Sequence, residues 1–496
     1  MTAKCLMIQG TGSGVGKSLL TAAFCRRFYL DGYKVAPFKA QNMSLNSFVT
    51  TEGGEMGRAQ VYQAEACGIA PHVSMNPVLL KPCGDNLSQV IVMGQVIKNF
   101  NAKDYFSEKT SYRQEAKKAL NFLMEQHDLI IMEGAGSPAE INLREFDFVN
   151  MQSARWANAP VLIISDIDRG GAFAWMKGTL DLLEPDDRRR VTGFIINKFR
   201  GDANLLKPGI RMFEEMTDKP IVGVVPFYRD LFVDEEDSIP SMHAPTPLND
   251  AIDVAVPRLP RISNFTDMSP LVHDPNVSLR YVWKSGQLGR PDLIILPGSK
   301  NTLDDLDFLR KSGLANDILD CHKKGSILLG ICAGFQMLGK VIRDPNQLES
   351  TLGNLPGLNI FNSETEITPQ KITRQSQGFT SDSPVFTEGL KFCGYEIHMG
   401  STLINHPYPS LFKKNYKTVS SAISLEDGTA IGTYLHGFFD NNGLRKAFLD
   451  HIRKLRKLSP SNNEFDYKAF REKQLDRLAV LIDDNIDMDR VKQMIL

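Results

Sequence analysis

The sequence lacks a charge excess and paired cysteines. Its 496 residues carry a formal net charge of -1, so composition gives no electrostatic reason to expect nucleic acid or an anionic membrane as a partner. The seven cysteines form no Cys-x-x-Cys pair and the nine histidines no cluster with ligand spacing, which argues against a zinc site or a secreted disulfide framework. We therefore expect a protein of the reducing cytoplasm that acts on small molecules.

Long apolar runs are missing as well. No segment approaches about 18 uninterrupted apolar residues, so we expect no transmembrane helix. The first ten residues hold one lysine and a short apolar run that leads into a glycine-rich loop, which favours a buried first strand over a signal peptide. A chain of 496 residues is too long for one ordinary hydrophobic core, so we expect two domains.

Short apolar runs do recur, separated by stretches with helical spacing, and this alternation predicts two α/β domains with mostly parallel sheets. The strands predicted in the first domain are Cys5–Gln9, Val35–Lys39, Leu129–Met132, Val161–Ser165, Gly193–Asn197 and Ile221–Val225. Those predicted in the second domain are Ile252–Val256, Leu279–Trp283, Leu293–Leu296, Ile327–Leu329 and Ala430–Tyr434.

Charged residues and prolines replace the periodic pattern between Asp234 and Asp250. We place the domain boundary there, with a first domain at 1–235, a linker at 236–250 and a second domain at 251–448. Residues 449–496 are charged and then amphipathic, which predicts a helical tail.

A glycine-rich loop follows the first strand and opens a helix; it reads Gly10-Thr11-Gly12-Ser13-Gly14-Val15-Gly16-Lys17-Ser18. The N–H groups of Gly12, Gly14 and Gly16 can bind phosphate oxygens, Lys17 can neutralise the β and γ phosphates, and Ser18 can bind Mg2+. Five residues separate its first and last glycines, one more than in the usual Gly-x4-Gly-Lys-Ser. This longer loop resembles that of dethiobiotin synthetase-like enzymes, which activate carboxylates with ATP.

Three polar residues are candidates to complete an ATP and Mg2+ site. Glu133 ends a predicted strand and precedes Gly134-Ala135-Gly136, so it can hold Mg2+ or its water, although a turn or capping glutamate is the alternative. Lys39 ends the second predicted strand and could reach the transferred phosphoryl group, although a surface lysine fits the spacing equally well. Glu55 is a weaker candidate metal ligand.

Cys332 lies between a predicted strand and a predicted helix, in Gly330-Ile331-Cys332-Ala333-Gly334. Gly-x-Cys-x-Gly is the thiol version of a nucleophile elbow, because small neighbours permit the strained turn that exposes the sulfur. The N-terminus of the following helix favours a thiolate. We therefore predict that Cys332 is a nucleophile rather than a buried structural cysteine.

A thiolate nucleophile needs a base and an oxyanion site. His436, which follows a predicted strand about a hundred residues downstream, is the predicted base. The N–H groups of Gly298 and Ala333 are the predicted oxyanion donors. This arrangement resembles the class I glutamine amidotransferase domain, whose cysteine takes the acyl group of L-glutamine and releases ammonia.

The carboxylate that would orient His436 is not evident. Many class I domains carry Glu two residues after the histidine, where this sequence has Phe438. Asp440 is a weak substitute at four residues, so the orienting group is left open. The predicted fold is an N-terminal P-loop domain of dethiobiotin synthetase-like type, with a mostly parallel sheet, and a C-terminal class I glutamine amidotransferase-like α/β domain.

Several longer stretches resemble the cobyric acid synthase family of cobalamin biosynthesis. They are Pro37–Ser47, Met75–Pro82, Glu133–Leu143, Asp166–Gly171, Asn197–Asp202, Leu296–Thr302 and Gly394–Gly400. The resemblance implies a corrinoid substrate, adenosylcobyrinic acid a,c-diamide, amidated at its b, d, e and g carboxylates, with Cys332 as glutaminase nucleophile and His436 as its base.

The resemblance does not decide whether Glu396 and His398 have a catalytic or a structural role. After the cysteine the family commonly reads Gly-Gly-Tyr-Gln, whereas this chain has Ala333-Gly334-Phe335-Gln336.

Two other functions fit part of these features. A related ligase would amidate another polyacid, such as cobyrinic acid at its a and c positions or a cell-wall precursor, and the stretch Pro37–Ser47 favours cobyric acid synthase over it. A P-loop switch of the partitioning-ATPase kind would carry an inactive glutaminase as a binding module. The intact Cys332 and His436 argue against that second alternative.

Overall fold

The structure is a computed structural model that describes residues 3–83, 87–228, 231–232, 250–414, 417–461 and 464–495, and the side chains of these residues outside 99–110. The chain forms two compact units. The first comprises Met1–Ser44, Gly54–Glu235 and Arg471–Leu496, and the second comprises Leu45–Gly53 and Glu236–Phe470. Residues 236–249 of the predicted linker lie outside the described residues.

Helices and strands alternate along both halves of the chain. In chain order the elements up to residue 226 are β1 (Lys4–Gly10), α1 (Lys17–Leu30), β2 (Val35–Phe38), β3 (Gln41–Met43), β4 (Ser47–Val49), β5 (Glu55–Gly57), α2 (Arg58–Ala66), β6 (Val78–Pro82), β7 (Leu87–Val92), β8 (Gln95–Asn101), α3 (Ala102–Gln126), β9 (Leu129–Glu133), α4 (Met151–Trp156), β10 (Val161–Asp166), α5 (Ala172–Leu182), α6 (Pro185–Arg190), β11 (Val191–Phe199), α7 (Lys207–Thr217) and β12 (Ile221–Pro226).

From residue 252 onward they are β13 (Ile252–Pro257), α8 (Ser269–His273), β14 (Val277–Val282), β15 (Leu293–Leu296), α9 (Thr302–Lys311), α10 (Leu314–Lys323), β16 (Ile327–Ile331), α11 (Ala333–Met337), β17 (Val341–Arg343), β18 (Asn354–Pro356), β19 (Ser363–Glu366), β20 (Ile372–Thr380), β21 (Lys391–His398), β22 (Ser401–Ile404), β23 (Phe412–Lys414), β24 (Lys417–Thr418), β25 (Ala422–Ser424), β26 (Ala430–Thr433), β27 (Leu435–His436), α12 (Asn442–Arg456), α13 (Tyr467–Asn485) and α14 (Met488–Ile495). Short 3-10 helices lie at Val73–Met75, Ala203–Leu206, Phe265–Met268 and Phe438–Asp440.

The first unit is built on a six-stranded sheet with the order β12-β11-β10-β1-β9-β2. All neighbouring strands in it run parallel. Strands β9 and β10 are buried at every residue, as expected for apolar strands that helices cover on both faces. Because the strands are parallel, their carboxyl ends share one edge of the sheet, which brings the loops after β1, β2, β9, β10 and β11 together.

The second unit contains another six-stranded sheet, with the order β14-β13-β15-β16-β26-β25. Its first five strands are parallel and only β25 pairs antiparallel. The predicted α/β class with mostly parallel central sheets is therefore confirmed for both halves of the chain. The region from β17 to β25, where no strand was predicted, adds strands in two smaller sheets, the longest of them β20 and β21, and the edge strand β25.

The segment 449–496, predicted as one helical tail, is divided between the two units. Residues up to Phe470 belong to the second unit, and Arg471–Leu496 belong to the first. In the first unit Leu475 and Leu478 join the hydrophobic core, and Arg26 pairs with Glu472 and Asp476 at 3.0 and 2.7 Å. Among the described residues, no helix is long and apolar enough to cross a membrane.

Two candidate active sites

The glycine-rich loop of the first unit connects β1 to α1. Gly14 and Gly16 have φ angles of 71° and 98°, in the left-handed region that glycine tolerates best. A Cβ atom at Gly16 would lie 2.2 Å from the side-chain nitrogen Nδ2 of Asn197. At Gly12 a Cβ atom would meet nothing within 4 Å, so packing does not require glycine there.

Lys17 and Lys198 reach the loop from different elements. The Nζ of Lys17 donates to the carbonyl oxygens of Gly12, at 2.8 Å, and Gly136, at 3.1 Å. The Nζ of Lys198, at the end of β11, donates to the carbonyl oxygen of Gly14 at 2.6 Å and to Asp166 at 2.9 Å. Two ammonium groups therefore lie against a loop whose N–H groups suit an anion.

Ser18, Lys39 and Glu133 meet at the carboxyl edge of the sheet. The Glu133 carboxylate accepts from Ser18 Oγ at 2.7 Å, from Lys39 Nζ at 3.0 Å and from Gln63 Nε2 at 2.6 Å. Burial alone would raise the pKa of Glu133, but the charge of Lys39 and these hydrogen bonds lower it below its usual range. Lys39 is only 4% exposed, so the surface-lysine alternative is wrong.

Glu55 lies in a separate ion pair. Its buried carboxylate accepts from Lys81 Nζ at 2.9 Å, so the contact gives no support to its predicted role as a metal ligand. Among the described residues, no group of three or more His, Cys, Asp or Glu side chains could hold a metal ion. Mg2+ is commonly held by one or two protein oxygens together with substrate phosphates, and the Ser18 hydroxyl and Glu133 carboxylate fit such a partial donor set.

A cavity of about 580 Å³ borders the loop in the first unit. Its lining includes Thr11, Ser13, Ser137, Glu140, Arg169 and Trp175. Volumes of this size are typical of small-molecule sites.

In the second unit, Cys332 forms the turn between β16 and α11. Its φ and ψ angles are 55° and -112°, a strained conformation for a residue with a side chain and one expected at a nucleophile elbow. A Cβ atom at Gly330 would lie 2.6 Å from the carbonyl oxygen of Gly334. One at Gly334 would lie 2.0 Å from the carbonyl oxygen of Leu296, so the turn needs glycine at both positions.

The imidazole of His436 is held by Asp267. Its Nδ1 lies 2.7 Å from Asp267 Oδ2, and the N–H of Gly437 donates to Asp267 Oδ1 at 2.9 Å. Asp267 belongs to the 3-10 helix Phe265–Met268, far from His436 in sequence. The carboxylate on Nδ1 is thus not Asp440, the weak candidate from spacing. Sequence reasoning missed Asp267, because no spacing pattern connects it to His436.

The charge of Asp267 controls the protonation of His436. Burial alone would lower the pKa of His436, but the charge and hydrogen bond of Asp267 raise it to about 10, and Cys332 adds to the increase. Within the described residues, Nε2 of His436 has no hydrogen-bond partner, and the Cys332 thiol donates to the carbonyl oxygen of Ile397 at 3.4 Å. Once Nδ1 donates to Asp267, Nε2 is the nitrogen left to receive a proton.

Gly298 and Ala333 remain the predicted oxyanion donors. Ala333 is the first residue of α11, where a backbone N–H has no intrahelical acceptor. The N–H of Gly298 has no acceptor among the residues that the structure describes. A Cβ atom at Gly298 would lie 3.5 Å from Cε1 of His436, so this backbone passes close to the imidazole.

Strand β21 carries the two residues whose role was open. Glu396 accepts from Arg374 Nε at 2.9 Å and from Lys414 Nζ at 2.6 Å, which favours the structural role. The ring of His398 stacks on Tyr434 with 3.8 Å between centroids. Burial lowers the pKa of His398 to about 4, so its imidazole is neutral at pH 7.

Comparison with protein families assigns both halves of the chain. Residues 6–240 match the CobQ/CobB/MinD/ParA nucleotide binding domain, and residues 253–444 match the CobB/CobQ-like glutamine amidotransferase domain. Together with the two sites, these matches define the class: the chain is a glutamine-dependent amide-forming ligase. An inactive glutaminase that serves only as a binding module is therefore not its function.

Full-length relatives specify the family. Cobyric acid synthase from Caldanaerobacter subterraneus subsp. tengcongensis is 46% identical, over 99% of this chain and 98% of the relative. Those from Dehalococcoides mccartyi (46% identical) and Desulfitobacterium hafniense (47%) each match 99% of this chain, and 98% and 97% of their own lengths. The chain belongs to the cobyric acid synthase family, and its two domains support amidation in cobalamin biosynthesis.

Proposed function

We propose that this chain converts adenosylcobyrinic acid a,c-diamide to adenosylcobyric acid by amidating the b, d, e and g carboxylates, with ATP and L-glutamine. The observation that carries the proposal is the Cys332 elbow beside an imidazole that Asp267 orients. A thiol in this setting releases ammonia from glutamine. The Ser18–Lys39–Glu133 cluster beside the phosphate loop supports the use of that ammonia on a carboxylate that ATP has activated.

In the glutaminase reaction, the proton of the Cys332 thiol is held on Nε2 of His436, because a pKa of about 10 favours the imidazolium, and the thiolate attacks the side-chain amide carbon of glutamine. The N–H groups of Gly298 and Ala333 stabilise the oxyanion. His436 then protonates the departing nitrogen, ammonia leaves, and water hydrolyses the thioester to glutamate. Asp267 keeps Nδ1 protonated throughout, so that Nε2 accepts and returns the proton.

In the synthetase reaction, the loop N–H groups and Lys17 bind the phosphates of ATP, and Lys39 offsets the charge on the transferred phosphoryl group. Ser18 and Glu133 would hold Mg2+, which shields the phosphate charge. A carboxylate oxygen of the acceptor attacks the γ phosphorus and ADP leaves. Ammonia then attacks the acyl carbon of the acyl phosphate, inorganic phosphate leaves, and an amide results.

The cavity beside the phosphate loop is the proposed place for the reacting carboxylate. Arg169, on its lining, has a side chain 66% exposed and lies 3.7 Å from Asp166, so its guanidinium is accessible to an incoming anion. We expect the reacting carboxylate arm of the corrinoid to enter it.

The test is Cys332→Ser. Adenosylcobyrinic acid a,c-diamide is supplied with ATP and either glutamine or ammonia, and amide formation is followed by mass. We expect glutamine-dependent turnover to be lost and ammonia-dependent turnover to be kept, because only ammonia release needs the thiolate. The control is Cys321→Ser, a buried cysteine of the same unit that donates to the carbonyl oxygen of Gly289 at 3.3 Å. Equal loss of both activities in Cys332→Ser would contradict the proposal.

A further inference from the structure

The segment Leu45–Gly53 lies within the part of the sequence that matches the nucleotide-binding domain, yet it belongs to the second unit. It contains β4 and the end of the Pro37–Ser47 stretch, and the proposed reaction assigns it no role. Asn46 and Ser47 are 0% and 1% exposed, so their polar groups are satisfied by protein partners rather than by bulk water. We refer to residues 45–53 as the inserted segment.

The inserted segment binds the turn that carries Asp267. Asn46 Oδ1 accepts from the N–H of Phe265 at 3.1 Å, and the N–H of Ser47 donates to Asn264 Oδ1 at 3.0 Å. These hydrogen bonds run in opposite directions between the two chain segments. Asn264 has a φ of 52° and immediately precedes the 3-10 helix that contains Asp267. Both hydrogen bonds therefore hold the first residue of that 3-10 helix and the residue before it.

The same segment also contacts the residues around His436. The hydroxyl of Tyr395 donates to the carbonyl oxygen of Ser47 at 3.1 Å. The Tyr395 ring stacks on His436, with 5.3 Å between centroids and 18° between planes. The ring of Phe48 packs edge-on against that of Tyr395, with 4.9 Å between centroids. The imidazole is thus flanked by an aromatic ring that the inserted segment holds in place.

We propose that Asn46 and Ser47 are positioning residues of the glutaminase site: they fix the Asp267 turn and the Tyr395 ring, and through them the orientation of the His436 imidazole. This inference rests on the proposed function of Cys332 and His436. In this role neither residue touches the reacting atoms. Each affects the position of the His436 imidazole, and small displacements of a catalytic base reduce the rate strongly because proton transfer requires close alignment.

The test uses two variants that remove opposite halves of the contact. Asn46→Ala removes the acceptor for the N–H of Phe265, and Asn264→Gly removes the acceptor for the N–H of Ser47 while tolerating the left-handed backbone. In each we expect kcat with glutamine to fall about tenfold to a hundredfold. We expect KM for glutamine to change less than about twofold and ammonia-dependent turnover to be unchanged. A merely structural defect would lower both activities together.

The matched control is Gln375→Ala. Gln375 donates to the carbonyl oxygen of Val49, so its removal loosens the inserted segment away from the Asp267 turn. We expect less than about a twofold change in either activity of this variant, since it leaves both hydrogen bonds to the turn intact.

Three outcomes would overturn the inference: unchanged kcat with glutamine in both test variants, a parallel fall of ammonia-dependent turnover, or an equal effect of Gln375→Ala. Failure of the proposed function is seen separately, as glutamine-dependent turnover that survives Cys332→Ser. If Cys332→Ser abolishes that turnover and Asn46→Ala leaves it intact, only the positioning role is wrong.

Discussion

Each unit contains a buried carboxylate beside its reactive groups, and the two carboxylates are bound in different ways. Glu133 accepts hydrogen bonds from three side chains, those of Ser18, Lys39 and Gln63. Asp267 uses one oxygen for the ring of His436 and the other for the backbone N–H of Gly437.

The partners of Glu133 are groups that also suit phosphate or Mg2+, so they can change partners when a nucleotide binds. The two oxygens of Asp267 bind adjacent residues, His436 at the end of β27 and Gly437 after it, so removal of the carboxylate releases the imidazole itself. We therefore expect the first site to rearrange when a ligand binds, and the second site to need little rearrangement for the proposed proton transfer.

The largest effect is expected for Asp267→Asn. We predict a fall of about 10³-fold to 10⁴-fold in glutamine-dependent kcat, because an amide carries no charge and can stabilise the wrong tautomer of His436. Ammonia-dependent turnover should be unchanged, and the ratio of the two rates is the measurement.

Asp274→Asn is the control, since this buried carboxylate pairs with Arg445 at 3.2 Å. It should lower thermal stability without changing the ratio. If the ratio in Asp267→Asn stays at the wild-type value, Asp267 does not prepare His436 for proton transfer, and the proposed difference between the two sites is wrong.

A smaller effect, on amide formation rather than on glutamine hydrolysis, is expected for Glu133→Gln. We predict a fall of about 10²-fold to 10³-fold in turnover with either glutamine or ammonia, because the neutral amide no longer balances Lys39 or helps to hold Mg2+. Glutamine hydrolysis without the acceptor should stay at the wild-type level. ADP and glutamate release, measured in parallel, separate the two steps.

Glu65→Gln is the control for Glu133→Gln. Glu65 pairs with Arg471 in the same unit and is expected to alter stability only. Full amide formation with ammonia in Glu133→Gln would show that the carboxylate is structural.

The phosphate-loop site was largely predictable because its residues occupy local positions that a pattern can recognise. Lys17 and Ser18 follow the glycines directly, and Glu133 and Lys39 lie at or just beyond the ends of apolar strands. The carboxyl ends of parallel strands meet at one edge, so strand order alone brings Glu133 close to the loop. The cysteine elbow was recognisable for the same reason, since its glycines are adjacent in sequence.

Asp267 was not predictable in this way. It lies 169 positions from His436, in a four-residue 3-10 helix with no periodic pattern. Its role depends on tertiary contacts, among them those from Asn46 and Ser47. Many strands between residues 341 and 424 were missed for a different reason. They have only two to four residues, which are too few to show alternation.

The smallest effect concerns His398, a buried histidine whose Nδ1 has no hydrogen-bond partner among the described residues. Burial outweighs the charge of Glu396 and lowers the pKa of His398 from 6.5 to about 4, whereas Asp267 raises that of His436 to about 10. Between pH 6.5 and 4 the unfolded chain binds a proton at this position that the native state does not. The free energy of unfolding should therefore fall as the pH drops through this window, by about 2 kcal/mol between pH 7 and 5.

His398→Phe keeps an aromatic ring against Tyr434 and removes the titration. Urea unfolding at pH 7, 6 and 5 should show a shallower acid-side loss for this variant than for the wild type. His451 has a lowered pKa of the same sign, through burial, and is present in both proteins, so it cancels in the difference. Identical slopes would mean that His398 titrates near its ordinary pKa in the native state, and that a carboxylate partner is not what separates the two histidines.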